Sequence, residues 1–371
     1  MAEKSVGTES LAIEGAKKEY KGKKLRVAFI GCGGISHTHA AALAGMPDVE
    51  IVAGVDIIPE RLTVFQERWG VPKLYESWKK MLKEVEPDAV SVCTPNGVHK
   101  APTVDALNAG CHVMVEKPMA MNPGECEKMI AAAEKAGKQL AVGFQYRYHP
   151  NTQFLKRSAD GGEFGDIMFM KCQALRRRGI PNWGVFGQKE KQGGGPMIDI
   201  GVHIIEMAHY FMGSPKPVAA TGNTWTYHGN KPSKVVVPWP NWDYKTYTVE
   251  DLAIGHIRFE NGAILQVEAS FVAHIEKDVW NFSFMGTKGG GQWDPPMTFT
   301  DRNDTMVNTA AHYVGGDVDF PALFRIKLRN WVDACMTGSP LEAPGEAGLA
   351  VQKMLDGVYR SAAAGKEVTI K

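Results

Sequence analysis

The chain has 371 residues, 40 of them glycine, with 42 Lys+Arg against 41 Asp+Glu and a formal net charge of +1. That balance lacks the basic footprint of a nucleic-acid binder or of a polybasic membrane patch. No run approaches the roughly 18 apolar residues of a membrane span. Glycine exceeds its usual share of about 7% without any collagen-like period, so it must serve turns and close backbone approaches.

Residues 1–23 read as a charged lead-in with no apolar signal-peptide core. Six scattered cysteines form no C-x-x-C, no Cys/His zinc spacing and no evident metal set. Reduced thiols in a cytoplasmic protein are the expectation.

From residue 25 the chain is punctuated. The apolar run 25–34 stops at glycines and leads into a helix over 35–46. Further strands are predicted at 49–56, 88–95, 111–118 and 139–147, with helices at 59–70, 77–84, 99–110 and 122–137. Such alternation indicates βαβ units and a parallel sheet covered on both faces, over 24–148. Right-handed crossovers then gather the strand C-termini along one edge.

Beyond residue 148 the grammar changes. Strand-like segments at 167–176, 218–228, 252–259, 263–274 and 279–287 include a hairpin signal at Asn261-Gly262. Helices are expected at 197–213, 320–338 and 346–365. This second, α+β part, 149–371, reads as a mostly antiparallel sheet.

Four clusters carry chemistry. Gly31, Gly33 and Gly34, with Ile35 and Ser36, join a strand to a helix whose free N–H groups and dipole suit a pyrophosphate. Asp56 ends the next strand, 25 residues beyond Gly31, where a carboxylate can bond ribose hydroxyls and repel a 2′-phosphate. NAD is therefore expected over NADP, although Arg61 could pair with a phosphate or stack on adenine. Thr94, Pro95, Asn96 and His99 follow the third long strand and can line the cofactor's path. Either that, or His99 is a surface residue at a helix start.

Glu116-Lys117-Pro118 ends a buried strand, where an ammonium is rarely core. A cis bond at Pro118 would aim Lys117 into the cleft; the sequence leaves the isomer open. Asp199 and His203 are spaced to share one helical face, with Gly201 leaving room beside it for a ring. Gln145 completes the expected cofactor contacts. Substrate contacts are sought at Arg147, at Arg178 (or Arg176), and at Trp183 (or Phe186). The stretch 235–247 reads as an exposed insertion that a neighbouring subunit covers.

In this order, the Gly-rich turn, Asp56, Thr94-Pro95-Asn96, Glu116-Lys117-Pro118 and Asp199-x-Gly-x-His203 resemble the glucose–fructose oxidoreductase / inositol dehydrogenase family from about residue 24 onward. The resemblance implies an N-terminal Rossmann domain and a C-terminal domain built on a large open sheet. It implies a homodimer or homotetramer formed through that sheet. It also implies sugar, glycoside or cyclic polyol substrates, with Lys117, Asp199 and His203 at the catalytic positions. Lys117 and His203 both remain open as the base. Two other activities stay in view: redox-neutral, NAD-dependent glycoside cleavage through a 3-keto intermediate, and a non-catalytic dinucleotide sensor.

Overall fold

The computed structural model describes residues 22–315 and 319–371; most of the charged lead-in lies outside them. The first part alternates β1 (Leu25–Ile30), α1 (Gly34–Ala44), β2 (Val49–Val55), α2 (Pro59–Trp69), β3 (Leu74–Tyr75), α3 (Trp78–Val85), β4 (Ala89–Val92), α4 (Lys100–Asn108), β5 (His112–Val115), α5 (Pro123–Ala136) and β6 (Leu140–Val142). Its six strands are parallel, in the order β3-β2-β1-β4-β5-β6. This is the doubly wound Rossmann order, whose switch point lies between β1 and β4. Val27, Ala28, Phe29 and Val90 are fully buried, as expected of strands covered on both faces.

The second part continues through α6 (Pro150–Asp160), β7 (Ile167–Leu175), α7 (Lys189–Gln192), a π-helical turn (Met197–Gly201) and α8 (Val202–Phe211). Then come β8 (Pro217–Trp225), β9 (Leu252–Phe259), β10 (Ile264–Ser270), β11 (Val279–Gly286), β12 (Gly289–Gln292), β13 (Met297–Arg302) and β14 (Thr305–Ala310). The chain closes with α9 (Phe320–Thr337), α10 (Gly345–Ala364) and β15 (Val368–Thr369). The nine strands run β14-β13-β12-β11-β7-β10-β9-β8-β15, antiparallel except for β7 beside β10. Asn261-Gly262 turns the β9–β10 hairpin, with the Asn261 side chain accepting from Ala263 N at 3.2 Å. In β9, Ala253, Ile257 and Phe259 are buried, while His256 and Arg258 point out. One face therefore packs on helices and the other stays open, as period-two patterning dictates.

Two features depart from the sequence reading. Strands β12–β14 were not predicted: β12 is Gly-Gly-Gly-Gln, and β13 and β14 offer only the short apolar signals of Met297, Phe299, Met306 and Val307. Helix α9 packs across α1, and Leu328, Trp331 and Val332 join Val27, Phe29 and Leu43 in a single core. The first sheet is thus completed by residues from near the end of the chain. No helix among the described residues is long and apolar enough to cross a membrane.

Candidate active site

The turn after β1 is fixed by Gly31, whose φ of +90° suits glycine, and where a Cβ would lie 2.7 Å from the Cys93 carbonyl carbon. A Cβ at Gly34 would meet nothing within 4 Å, and one at Gly33 only Arg61 Nη1 at 3.9 Å. Helix α1 begins with no side-chain cap, so its first N–H groups face that open space. This is the cradle a pyrophosphate requires.

Asp56 braces the turn from below: Cys32 N donates to Oδ2 at 2.9 Å and Ile58 N to Oδ1 at 3.0 Å. Arg61 Nη1 stands 3.8 Å from the same carboxylate and, half exposed, lines the cavity. His99 is buried, with Nδ1 2.9 Å from Pro118 O and Nε2 2.8 Å from Thr94 O. It ties two loops together and is not a surface residue. Burial pushes its pKa down, although both backbone contacts oppose the shift. Asn96 Nδ2 donates to Gln192 O at 2.9 Å, joining the β4 loop to the end of α7.

Lys117 follows β5, and its peptide bond to Pro118 is cis. Its Nζ donates to Asp199 O at 2.8 Å and to Asp199 Oδ1 at 3.2 Å. Asp199 sits in the π-helical turn, not in the regular helix expected. The cause lies just upstream, where the buried Glu250 carboxylate accepts from Gly195 N at 2.9 Å and Met197 N at 3.2 Å. Tyr359 Oη donates to Glu250 Oε1 at 2.7 Å. Pinned at its entry, the segment closes with a wide turn, a device frequent at functional sites. Gly201 does not open space for a ring: a Cβ there would lie 2.9 Å from Met197 Sδ and 3.1 Å from Ala269 Cβ. Its smallness lets the helix settle onto β10.

His203 begins α8 and packs edge-on to Tyr146, ring centroids 5.2 Å apart. Neither ring nitrogen has a hydrogen-bond partner among the described residues, and Nδ1 is buried without one. Burial, then the Lys117 charge, hold its pKa well below the ordinary histidine value, so the ring is neutral near pH 7.

One cavity of about 750 Å³ is lined by Gly33, Gly34, Ile35, Arg61, Thr94, Pro95, Asn96, His99, Glu116, Lys117, Gln145, Trp183, Asp199 and His203. Gly31, Ser36 and Asp56 lie outside that lining. The Ser36 hydroxyl donates to Gly33 O at 2.6 Å, closing the first turn of α1. The cavity runs from the Gly-rich turn to the π-turn. Thr94 Oγ1, Gln145 Oε1, His203 Nδ1 and Trp280 Nε1, all on residues that line it, are buried without partners. Buried polar atoms are seldom left so, and four in one cavity fit a polar occupant such as a dinucleotide with its substrate. No cluster of three or more His, Cys, Asp or Glu among the described residues is arranged to hold a metal.

Two expected substrate contacts are placed elsewhere. The predicted strand through residue 147 ends at Val142, and Gln145–Tyr148 form a 3₁₀ turn that sends neighbouring side chains to different sides. Gln145 and Tyr146 face the cavity, whereas Arg147 is buried against Glu206, the Glu342 carbonyl and the Tyr210 ring. Arg178 turns to His274, with Nη2 3.1 Å from Nε2. Arg176 lines the cavity instead, its guanidinium 5.0 Å from the Trp239 ring. The insertion is therefore not wholly external: Trp239 also packs edge-on to Trp183 at 4.8 Å. Sequence reasoning missed Tyr146, Gln192, Asp278 and Trp280 in the lining. The alternation of β11 offered a signal for Trp280; the others carried none.

Comparison with known proteins accords with this geometry. Residues 25–144 match the model for an oxidoreductase family with an NAD-binding Rossmann fold, and 152–291 match the GFO/IDH/MocA C-terminal domain. The D-glucoside 3-dehydrogenase of Escherichia coli (strain K12) is 36% identical over 349 residues, covering 93% of this chain and 97% of that protein. A levoglucosan dehydrogenase of Pseudarthrobacter phenanthrenivorans is 28% identical over 287 residues, 72% of this chain and 73% of that one. The solved structure of levoglucosan dehydrogenase in complex with NADH superposes with a TM-score of 0.82 at 23% identity, covering 94% of this chain and 100% of that one. With both halves matched and a relative parallel along nearly its whole length, the chain belongs to the Gfo/Idh/MocA oxidoreductase family, its first part an NAD-binding Rossmann domain.

Proposed function

We propose that the protein oxidises a secondary hydroxyl of a sugar, glycoside or cyclic polyol with NAD. The observation that carries this reading is the Lys117–Asp199 pair beside an unbonded, neutral His203, on the wall of the cavity that starts at the Gly-rich turn. Relatives named as glucoside and levoglucosan dehydrogenases support the carbohydrate class.

NAD, when bound, supplies the hydride acceptor at nicotinamide C4; the chain must manage the hydroxyl proton and the developing oxygen charge. His203 is the base in this reading, because its ring is neutral and has a nitrogen without a partner. The burial and Lys117 charge that keep it neutral also weaken it, so proton transfer relies on Lys117 lowering the pKa of the hydroxyl it bonds. Lys117 has three N–H donors and gives two to Asp199, which leaves one for the reacting oxygen. That donor stabilises charge as the proton departs. Asp199 Oδ2 has no partner among the described residues and can accept from a neighbouring hydroxyl, orienting the ring. Arg176, Trp183 and Trp280 form the polar and aromatic walls around it.

The test is a panel of glycosides, free sugars and inositols assayed for NADH formation. Stoichiometric NADH with a keto product is the expected result. Turnover without net NADH, or none across the panel with NAD bound, would overturn the reading.

Cofactor choice gives a second measurement. Asp56→Ala removes a carboxylate that repels a 2′-phosphate and accepts from ribose hydroxyls. NAD affinity should fall about tenfold and NADP affinity clearly less. Equal losses would mean that Asp56 acts only by bracing the turn through Cys32 and Ile58.

A further inference from the structure

A buried polar cluster reaches from the cavity wall, where Glu116 lies, back to His39 and Lys327. Glu116 is 5% exposed and fills the space above Gly143, where a Cβ would come within 2.5 Å of Oε1. Oε1 lies 2.9 Å from Lys327 Nζ and 2.8 Å from His39 Nε2. Oε2 accepts from the backbone N–H of Lys117 at 3.2 Å. The Lys327 ammonium is 1% exposed, stands 3.9 Å from the centre of the Phe324 ring, and comes from α9. Phe324 borders the cavity; Lys327 does not.

We infer that Lys327 is a positioning residue for the reaction: by pairing with Glu116 it keeps that buried side chain a carboxylate, and so holds the Lys117 backbone and the charge pattern behind the site. The inference rests on the dehydrogenase reading above and names a residue near the end of the chain that also contacts His39 Nε2 at 3.1 Å and whose bond to the polar lining of the cavity is the one to Glu116. A carboxylate this deep, left without a cation, takes up a proton. Burial does push Glu116 toward the neutral form, and Lys327 and then His39 outweigh it, so that its pKa falls well below the usual range. A protonated Glu116 could no longer accept from both sides, and it would remove a negative charge next to Lys117.

The groups that face Glu116 are few. His39 comes from α1, Lys327 from α9, the Cys93 thiol from the end of β4, His99 from the start of α4, His203 from α8, and Lys117 from its own strand. Burial holds His39 near a pKa of about 4, and the Cys93 thiol is pushed upward. The histidines and the thiol are neutral near pH 7, and Lys117 gives two of its three donors to Asp199. The Glu116 contact opposes the fall that burial imposes on the Lys327 pKa. Lys327 is therefore the cation on which Glu116 depends.

The experiment compares wild type with Lys327→Met and Lys327→Gln, the second keeping a donor and most of the volume should the first not fold. For both, kcat at pH 7 should fall about tenfold or more while the KM for NAD stays within about threefold. The acid limb of the kcat profile should rise by about one unit or more. The part due to Glu116 titrating in range should vanish when Glu116→Gln is added, and the part due to His203 losing the Lys327 charge should stay. Infrared spectra at pH 7 should show a protonated-carboxyl band in the variants that is absent from wild type and lost when Glu116→Gln is added. That double variant should be no worse than Glu116→Gln alone. A wild-type pH profile and no carboxyl band, with only a lower melting temperature, would reduce Lys327 to a packing role and overturn the inference. The infrared arm does not depend on activity. If no carbohydrate yields NADH with wild type, the function fails while the band still decides the part played by Lys327.

Discussion

Lys117→Ala should lower kcat by at least about a thousandfold while NAD affinity changes only a few-fold. In the proposed mechanism the ammonium is the donor to the developing oxygen charge, and it is also the partner of Asp199, a carboxylate only 7% exposed. Its loss removes a charge-assisted bond from the transition state and strands a buried anion. The variant should also report on the base. With the Lys117 charge gone, one of the causes depressing the His203 pKa disappears, so the acid limb of the residual activity should move to higher pH. Stopped-flow hydride transfer and fluorescence titration of NAD separate the two effects. Turnover near the wild-type rate would eliminate Lys117 as the oxyanion donor.

Gly195→Ala should cost about 3 kcal/mol of stability, the upper end of ordinary overpacking, and depress kcat as well. The new methyl would be driven into the Glu250 carbonyl oxygen and would lie 3.1 Å from both Glu250 Cδ and Val249 Cγ2. Backbone on one side and a capping carboxylate on the other leave nothing free to yield. Because Asp199 N also donates to Gly195 O at 2.9 Å, any shift at residue 195 is passed to the catalytic turn. Denaturant titration and steady-state kinetics on the same preparation check both parts. A variant with wild-type stability would mean that the anchor is compliant.

That glycine shows where the sequence stopped being readable. Nothing next to Gly194 and Gly195 in the chain announces their duty, since its reason is Glu250 and Tyr359, remote in the chain and near in space. The Gly31 turn, by contrast, was legible because strand, glycine and helix are consecutive. Lys117, Asp199 and His203 were picked out from equally local signals, near the ends of predicted elements, and the fold brings them to one cavity, whereas Asp56 lies outside its lining. Arg147 and Arg178 were misplaced because being near a strand end does not settle which way a side chain turns. Lys327 was invisible: on an amphipathic helix a lysine reads as solvated, and the acid that buries it lies 211 residues earlier. The π-turn was hidden for the same reason. Periodicity predicts a regular helix until a contact from elsewhere pins its first turn.

The return of α9 to the first sheet bears on how the chain is made. All six strands of the Rossmann sheet leave the ribosome early, in an order that lets each βαβ unit close on the last. Yet the apolar patch at Val27, Phe29 and Leu43, which Leu62 and Phe65 join from α2, lacks its share of cover until Leu328, Trp331 and Val332 are synthesised. Over that interval the nascent N-terminal half carries an incomplete core, the state in which chains aggregate or engage chaperones. A fragment ending near residue 148 would keep that exposed face permanently, whereas supplying residues 319–338 in trans would give it the partner it evolved with. Vectorial synthesis thus delivers the dinucleotide platform first and the helices that support it, α9 and then α10, almost at the end.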